Sequence, residues 1–250
     1  MNEIRASVAM AVYNAEKYIK EQIDSILPML GEKDELVISY DKSSDSTFKI
    51  ISEYEKKYSN IHCIVNKHKP GVSGNFTNAA ENCRGKYIFF SDQDDVWLGD
   101  KINIMVNALE KYNADLVIHD GYLTDKLLNK NPRTLFELNN ATINPLLNFY
   151  KGRFLGCCMA FRRETMKYVL PFPDVTNDFP HDIFAAILVE KKGKVIMIPE
   201  CLILHRLHDN NETPKTRNPW YKVIKNRWIL YKQLRKRLIN IKMNIQIEKF

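Results

Sequence analysis

Short apolar, β-prone runs recur along the first half of the chain, separated by stretches in which apolar residues return every three or four positions. The runs at 4–12, 35–40, 62–65, 86–90 and 115–119 read as strands, and the segments 15–29, 46–58, 75–83 and 100–112 read as helices. Such alternation predicts an α/β domain on a largely parallel sheet. Ligands of open sheets of this type bind beyond the carboxyl ends of the strands, which is where Tyr13-Asn14, Asp41 and the run Asp92 to Asp95 fall.

The pattern weakens beyond His119, and 127–148 reads as an irregular connection or a loop beside such a site. Order returns with a strand at 156–161, a helix at 182–192, a strand at 195–198 and the segment 201–208. Further on, Trp220, Ile224, Trp228, Tyr231, Leu234, Leu238, Ile241 and Ile245 form one apolar stripe at helical spacing, with Lys and Arg around it. The expected organisation is one domain over 1–214 and a basic amphipathic helical tail over 215–250.

Hydrophobic content of 45% and charged content of 27% are ordinary for a globular chain. No apolar run approaches the roughly 18 residues of a membrane span. The N-terminus enters a strand-like run without a basic leader, so the cytoplasm is the expected compartment. Five cysteines with no Cys-x-x-Cys pair argue against a disulfide framework and against a zinc site. Charge is more telling: from Lys215 onward eleven Lys or Arg stand against one acid, Glu248, which exceeds the whole net charge of +7. That helix suits either the interface of an anionic membrane or packing on the domain or on a second subunit in a homodimer. No nucleic-acid partner is expected.

The most informative segment is Ser91-Asp92-Gln93-Asp94-Asp95, which ends an apolar run and leads into Val96-Trp97. Carboxylates this close raise one another's pKa unless a cation or hydrogen-bond donors offset them, and an all-oxygen set suits Mg²⁺ or Mn²⁺. A solvated acidic turn is the alternative.

With these segments in view, the chain resembles the inverting family 2 glycosyltransferases of the GT-A fold from about Val8 to Asn211. The resemblance is carried by Ala11-Val12-Tyr13-Asn14, by Asp41-Lys42-Ser43-Ser44-Asp45-Ser46-Thr47, by Gly71 and Gly85, and by Asp-Gln-Asp-Asp-Val-Trp at 92–97. The last version is similar to the branch of rhamnosyltransferases and related capsule or O-antigen enzymes. Two departures stand out: Tyr40 replaces an acid, and Asn75-Phe76-Thr77 replaces an Arg-Asn pair, so the resemblance does not extend to the diphosphate contacts of that helix.

The resemblance implies a nucleotide-sugar-binding half over 1–119 and an acceptor-binding half over 120–214. It implies that Ala11, Tyr13, Asn14, Asp41, Asp92 and Gln93 hold the nucleotide-sugar and that Asp94 is the main ligand of Mn²⁺ or Mg²⁺. Asp95 would only orient its neighbours. Asp41 also reads as an N-cap or Asx-turn residue, a role open equally to Ser44 or Asp45. His208, in His205-Arg206-Leu207-His208-Asp209-Asn210-Asn211, aligns with a histidine that completes the metal shell or contacts the diphosphate; a structural hydrogen bond is the other reading. Gly156 matches a small residue of the acceptor pocket, and a close-packed strand glycine fits as well.

An inverting transfer needs a base for the acceptor hydroxyl. Asp182 matches the second position of the family's acidic pair, with His181 in the first; His181 could instead be the base or orient Asp182. The expected activity is metal-dependent transfer of a single sugar from dTDP-rhamnose or a UDP-sugar to a glycan acceptor, lipid-linked in bacterial surface polysaccharide assembly. The segment from Ile224 to Trp228 lacks the Gln of the processive synthases. Two other classes stay open: a sugar-phosphate nucleotidyltransferase, although no Gly-rich phosphate loop with a Lys is present near the N-terminus, and a non-enzymatic membrane-surface adaptor using the tail.

Overall fold

The computed structural model describes residues 3–176, 179–208 and 219–247. Asp209-Asn210-Asn211 and the boundary expected at 214 lie outside the described residues, as does the side chain of Ile245. Elements run β1 Ala6–Val12, α1 Ile19–Ile26, β2 Asp34–Tyr40, α2 Thr47–Lys57, β3 Ile61–Val65, α3 Val72–Asn82, β4 Tyr87–Ser91, β5 Val96–Trp97 and α4 Lys101–Lys111. They continue with β6 Leu116–Thr124, β7 Lys130–Thr134, α5 Leu135–Asn139, α6 Pro145–Tyr150, β8 Met159–Arg162, α7 Met166–Val169, α8 His181–Lys192, β9 Val195–Arg206 and α9 Trp220–Ile247.

The sheet order is β3-β2-β1-β4-β8-β6-β9-β5, with β7 on β6. β1 pairs in parallel with β2 and β4, and β2 with β3, so Tyr13, Asp41 and Asp92 leave the sheet along one edge. Both faces of these strands are covered, which is why they read as continuous apolar runs. β8 lies antiparallel between β4 and β6, so its beginning arrives at the edge where β4 ends. β9, parallel to β6, delivers His205 and Arg206 to the same edge. The α/β expectation holds, with a parallel first half and antiparallel strands entering beyond β4.

Three local expectations are corrected. The segment 127–148 contains β7, α5 and most of α6; each is too short to show a period, but two helix starts were written in the chain. Thr134 and Glu137 form a reciprocal capping box, and Asn144 caps a helix with Pro145 in its first turn. Gly156–Cys158 is a tight 3₁₀ turn rather than strand, because the Cys158 N–H donates to Leu155 O (3.1 Å) and the Cys157 carbonyl accepts from Lys101 Nζ (2.8 Å). α1 starts at Ile19, four residues late; the Ala15 and Glu16 N–H groups before it donate to Thr47 Oγ1 (2.7 Å) and Asp45 Oδ2 (3.1 Å) of the next loop.

Gly85 is explained by packing: a Cβ there would stand 2.6 Å from the Ser7 nitrogen, so β1 and the turn before β4 can approach only without a side chain.

Candidate functional site

The loops after β1 and β2 are laced together. Asn14 adopts φ 45°, and its side-chain oxygen accepts the Ser44 N–H (2.9 Å) while its own N–H donates to Ser43 Oγ (3.0 Å). Gln93 closes the other side as an amide clasp, accepting the Tyr13 N–H (2.7 Å) and donating to the Tyr13 carbonyl (3.0 Å). Tyr13 is thereby fixed with its ring half exposed. Asp45, not Asp41, takes the cap-like bond from the Thr47 N–H (3.0 Å).

Asp41 is 7% exposed, and both its oxygens are engaged, by Asn66 Nδ2 (2.7 Å) and the Gly71 N–H (2.8 Å). It organises the approach to α3. Asn75, from the segment that departs from the family pattern, is buried with Nδ2 on the Val12 carbonyl (3.0 Å), so its amide nitrogen secures the end of β1.

The acidic run carries its own countercharges. Asp95 is fully buried, and its Oδ1 accepts from His205 Nδ1 (2.9 Å) and the Arg206 N–H (3.1 Å). Burial alone would raise its pKa, but the His205 charge and hydrogen bond hold it below the usual carboxylate range. For His205 the balance runs the opposite way: burial disfavours the imidazolium, yet Asp95 and Asp92 push the group up to about 10. Lys101, with no exposed surface, lies over the Trp97 ring at 4.0 Å from its centroid, and burial lowers it to about 8 against the pull of Asp95 and Asp92. Donor atoms of Asp92, Asp95, Cys157 and His205 lie within 4.8 Å of one another. In this grouping His205 supplies countercharge to both acids.

Asp92, half-buried, is raised to about 7 by burial and then by the charges of Asp95 and Asp94. Asp94 is raised by burial and Asp95, with His208 opposing. His208 Nε2 meets Asp94 Oδ2 at 2.8 Å. The His208 ring stacks on Tyr18 at 4.4 Å, and the Arg206 guanidinium lies 4.9 Å from the centroid of that same Tyr18 ring while pairing with Glu21. A carboxylate oxygen and an imidazole nitrogen converging at one cleft are a donor pair suited to Mn²⁺ or Mg²⁺, carboxylate first.

The start of α8 is seated on an aromatic cluster. Phe90 of β4 contacts the rings of Phe76, Phe161 and Phe172 at 5.3, 4.9 and 6.0 Å, and truncating such a residue costs about 3–5 kcal/mol. Phe76 stacks on His181 at 4.8 Å and Phe172 meets it edge-on at 5.3 Å. Burial lowers the His181 pKa, leaving the ring neutral, and its Nε2 has no hydrogen-bond partner among the described residues. Asp182 follows in the first turn of α8, where the helix dipole favours a carboxylate. A Cβ on Gly156 would lie 3.5 Å from Asp182 Cβ and 3.6 Å from His181 Nε2, so a side chain here would narrow the space before both.

These parts line one cleft of about 510 Å³. Of the residues expected from sequence, Tyr13, Asn14, Asp92, Gln93, Asp94, Gly156, His181, Asp182 and His208 lie on its wall, and Ala11 and Asp41 do not. Sequence reasoning missed Tyr18, His205 and Lys101. Lys101 begins α4 after Asp100 and reads as an ordinary solvated helix start; no sequence signal reveals its burial.

The family model for glycosyl transferase family 2 matches residues 7–170. The chain belongs to this family. It is a glycosyltransferase, and the nucleotidyltransferase and adaptor readings give way to that. The chain is 26% identical over 243 residues to a dTDP-rhamnosyl transferase of Shigella flexneri, covering 85% of this chain and 81% of that one. It is 28% identical over 181 residues to an Escherichia coli UDP-Glc:α-D-GlcNAc-diphosphoundecaprenol β-1,3-glucosyltransferase, covering 71% and 68%. The fold is shared with a mannosyltransferase of Pyrobaculum calidifontis solved with GDP-Man and Mn²⁺, at TM-score 0.64 and 18% identity, over 82% of this chain and 58% of that one. The likeness extends the GT-A architecture beyond the matched family segment.

Proposed function

We propose that this family 2 transferase moves one sugar, with inversion, from a nucleotide-sugar to a glycan acceptor during bacterial capsule, O-antigen or exopolysaccharide synthesis. The observation that carries the reading is one cleft lined by a metal-type donor pair, Asp94 with His208, and by a carboxylate at a helix start, Asp182, beside a neutral histidine. dTDP-rhamnose or a UDP-sugar is the donor, in line with the two relatives named above. Tyr13, Asn14 and Gln93 hold the nucleotide and Asp92 the ribose; Asp41 and Ala11 act from behind by shaping the strand ends.

Asp94 and His208 would hold Mn²⁺ or Mg²⁺, which as a Lewis acid offsets the charge growing on the departing diphosphate. Asp182 takes the proton of the acceptor hydroxyl as that oxygen attacks. His181 Nε2, neutral and without a hydrogen-bond partner among the described residues, forms a hydrogen bond with the acceptor sugar, and Gly156 leaves the room for it. The acceptor is lipid-linked, as the name of the E. coli relative describes for that enzyme, and the protein works in the cytoplasm at the inner face of the membrane. No helix among the described residues is long and apolar enough to cross a membrane.

The test is a binding and transfer screen across dTDP-, UDP- and GDP-sugars with and without Mn²⁺. One donor should bind more tightly with the metal and be consumed only with an acceptor. Metal-indifferent binding of every donor would remove the proposed metal role, and synthesis of a nucleotide-sugar without transfer would overturn the reading.

A further inference from the structure

The apolar stripe read along 220–245 does not stay together. Leu230 and Leu234 are buried and Leu238 is packed against the core, while Arg237 donates to the carbonyls of Tyr168, Leu170 and Pro171. By contrast Trp220 is 75% exposed, Ile224 60%, Trp228 56% and Tyr231 44%. Helical geometry, 100° per residue, puts Tyr221, Lys225, Trp228 and Lys232 opposite the docked leucines, and Lys232 Nζ lies 5.2 Å from the Trp228 ring centroid. Packing on the domain and contact with something else are therefore separate parts of one helix: the docked leucines lie toward its end, and the exposed residues lie at its start and on the side opposite the leucines.

A second element joins the exposed face. α6, unforeseen from the sequence pattern, exposes Leu146, Leu147 and Tyr150, the last at 73%. Its end meets α9 where Arg227 Nε donates to the Tyr150 carbonyl (3.2 Å), one residue from Trp228. Both helices rest on α8: Asn148 Nδ2 donates to Glu190 Oε1 (2.7 Å), and Gly152 abuts Ile183, next to Asp182.

We propose that the solvent face of α9 and the exposed side of α6 form one docking surface for an anionic lipid bilayer. Charge complementarity selects this occupant. Lys225, Lys232, Arg235 and Lys236 are exposed on α9 beside the aromatic residues, the composition of a helix lying at the headgroup level of acidic lipid. A partner protein of equal area would have to cover these cations with acids, and the surface is interleaved with Trp and Tyr, which favour an interface wet at one end and apolar at the other. Because α8 carries Asp182 at its start, the surface sits on the acceptor side of the cleft and brings a lipid-linked acceptor to the base. In that last respect the proposal rests on the transfer reading; membrane binding itself does not.

The experiment is co-sedimentation of the full chain with phosphatidylglycerol and with phosphatidylcholine vesicles. Binding should be confined to phosphatidylglycerol and weaken with salt. Leu146→Glu with Tyr150→Glu on α6, and separately Trp228→Glu with Lys232→Glu on α9, should each weaken it by about tenfold or more. Thermal unfolding and nucleotide affinity should stay at wild-type values, which separates a lost surface from a lost fold. Equal binding to both lipids, wild-type binding by the α6 variant, or a dimer in light scattering that the α9 variant dissolves would overturn the proposal. Normal nucleotide use by a chain that ignores vesicles would sink the docking surface alone; vesicle binding without nucleotide recognition would sink the transfer reading alone.

Discussion

His208 Nε2 stands 2.8 Å from Asp94 Oδ2, joining residues 114 positions apart at the edge of one sheet. Tyr18 stacks on the histidine ring, so the imidazole is held from its flat side and its nitrogen is aimed by packing rather than by chance. Two donors so placed exchange a hydrogen bond with each other or share a cation, and the second use needs little movement.

Asp94→Ala and His208→Ala should therefore each weaken metal-dependent nucleotide binding by about tenfold or more, and the double variant should lose less than the product of the two. Calorimetric titration with Mn²⁺ and with a chelator measures it. Wild-type affinity in either variant would assign that side chain a purely structural bond.

Asp182→Asn keeps the size and helix position of the side chain but removes its basicity. Transfer should fall by roughly 100-fold while donor affinity changes little. If turnover stays near normal, the proton goes elsewhere, and His181→Ala becomes the decisive comparison.

Lys101 balances Asp95 and Asp92 from inside the protein and holds the Cys157 carbonyl at 2.8 Å. Lys101→Met should cost about 3–5 kcal/mol in urea unfolding, since it leaves buried acids short of a cation and a carbonyl unpaired. An unchanged midpoint would show that His205 alone suffices.

Glu190 is raised from 4.5 to about 7 by burial, against the opposing bond from Asn148. The folded state thus binds this proton more tightly than the unfolded chain, so its contribution is complete below pH 4.5 and is lost as pH rises through about 7. Glu190→Gln should raise Tm at about pH 8, leave it nearly unchanged at about pH 4, and flatten the decline between them. Parallel pH curves for the two proteins would refute the assignment.

The alternation of strands and helices up to His119, the acidic run closing β4 and the pair at the start of α8 were legible in the chain, because each is written in neighbouring residues with a period or a fixed spacing. The short elements between 127 and 150 left only caps, since five or six residues are too few to show a face. The partners of the acidic run became apparent only in three dimensions. Asp95 is matched by a histidine 110 positions away and by a lysine hidden behind Trp97, while Asp94 is left to face the cleft with His208. Likewise one helical stripe divided along α9, its start exposed while Leu234 and Leu238 met the domain. The sequence determined where carboxylates and apolar residues lie along each element, for that follows from local geometry. Which charges neutralise one another, and which apolar side stays in water, depends on distance through space, and only the packed structure decides it.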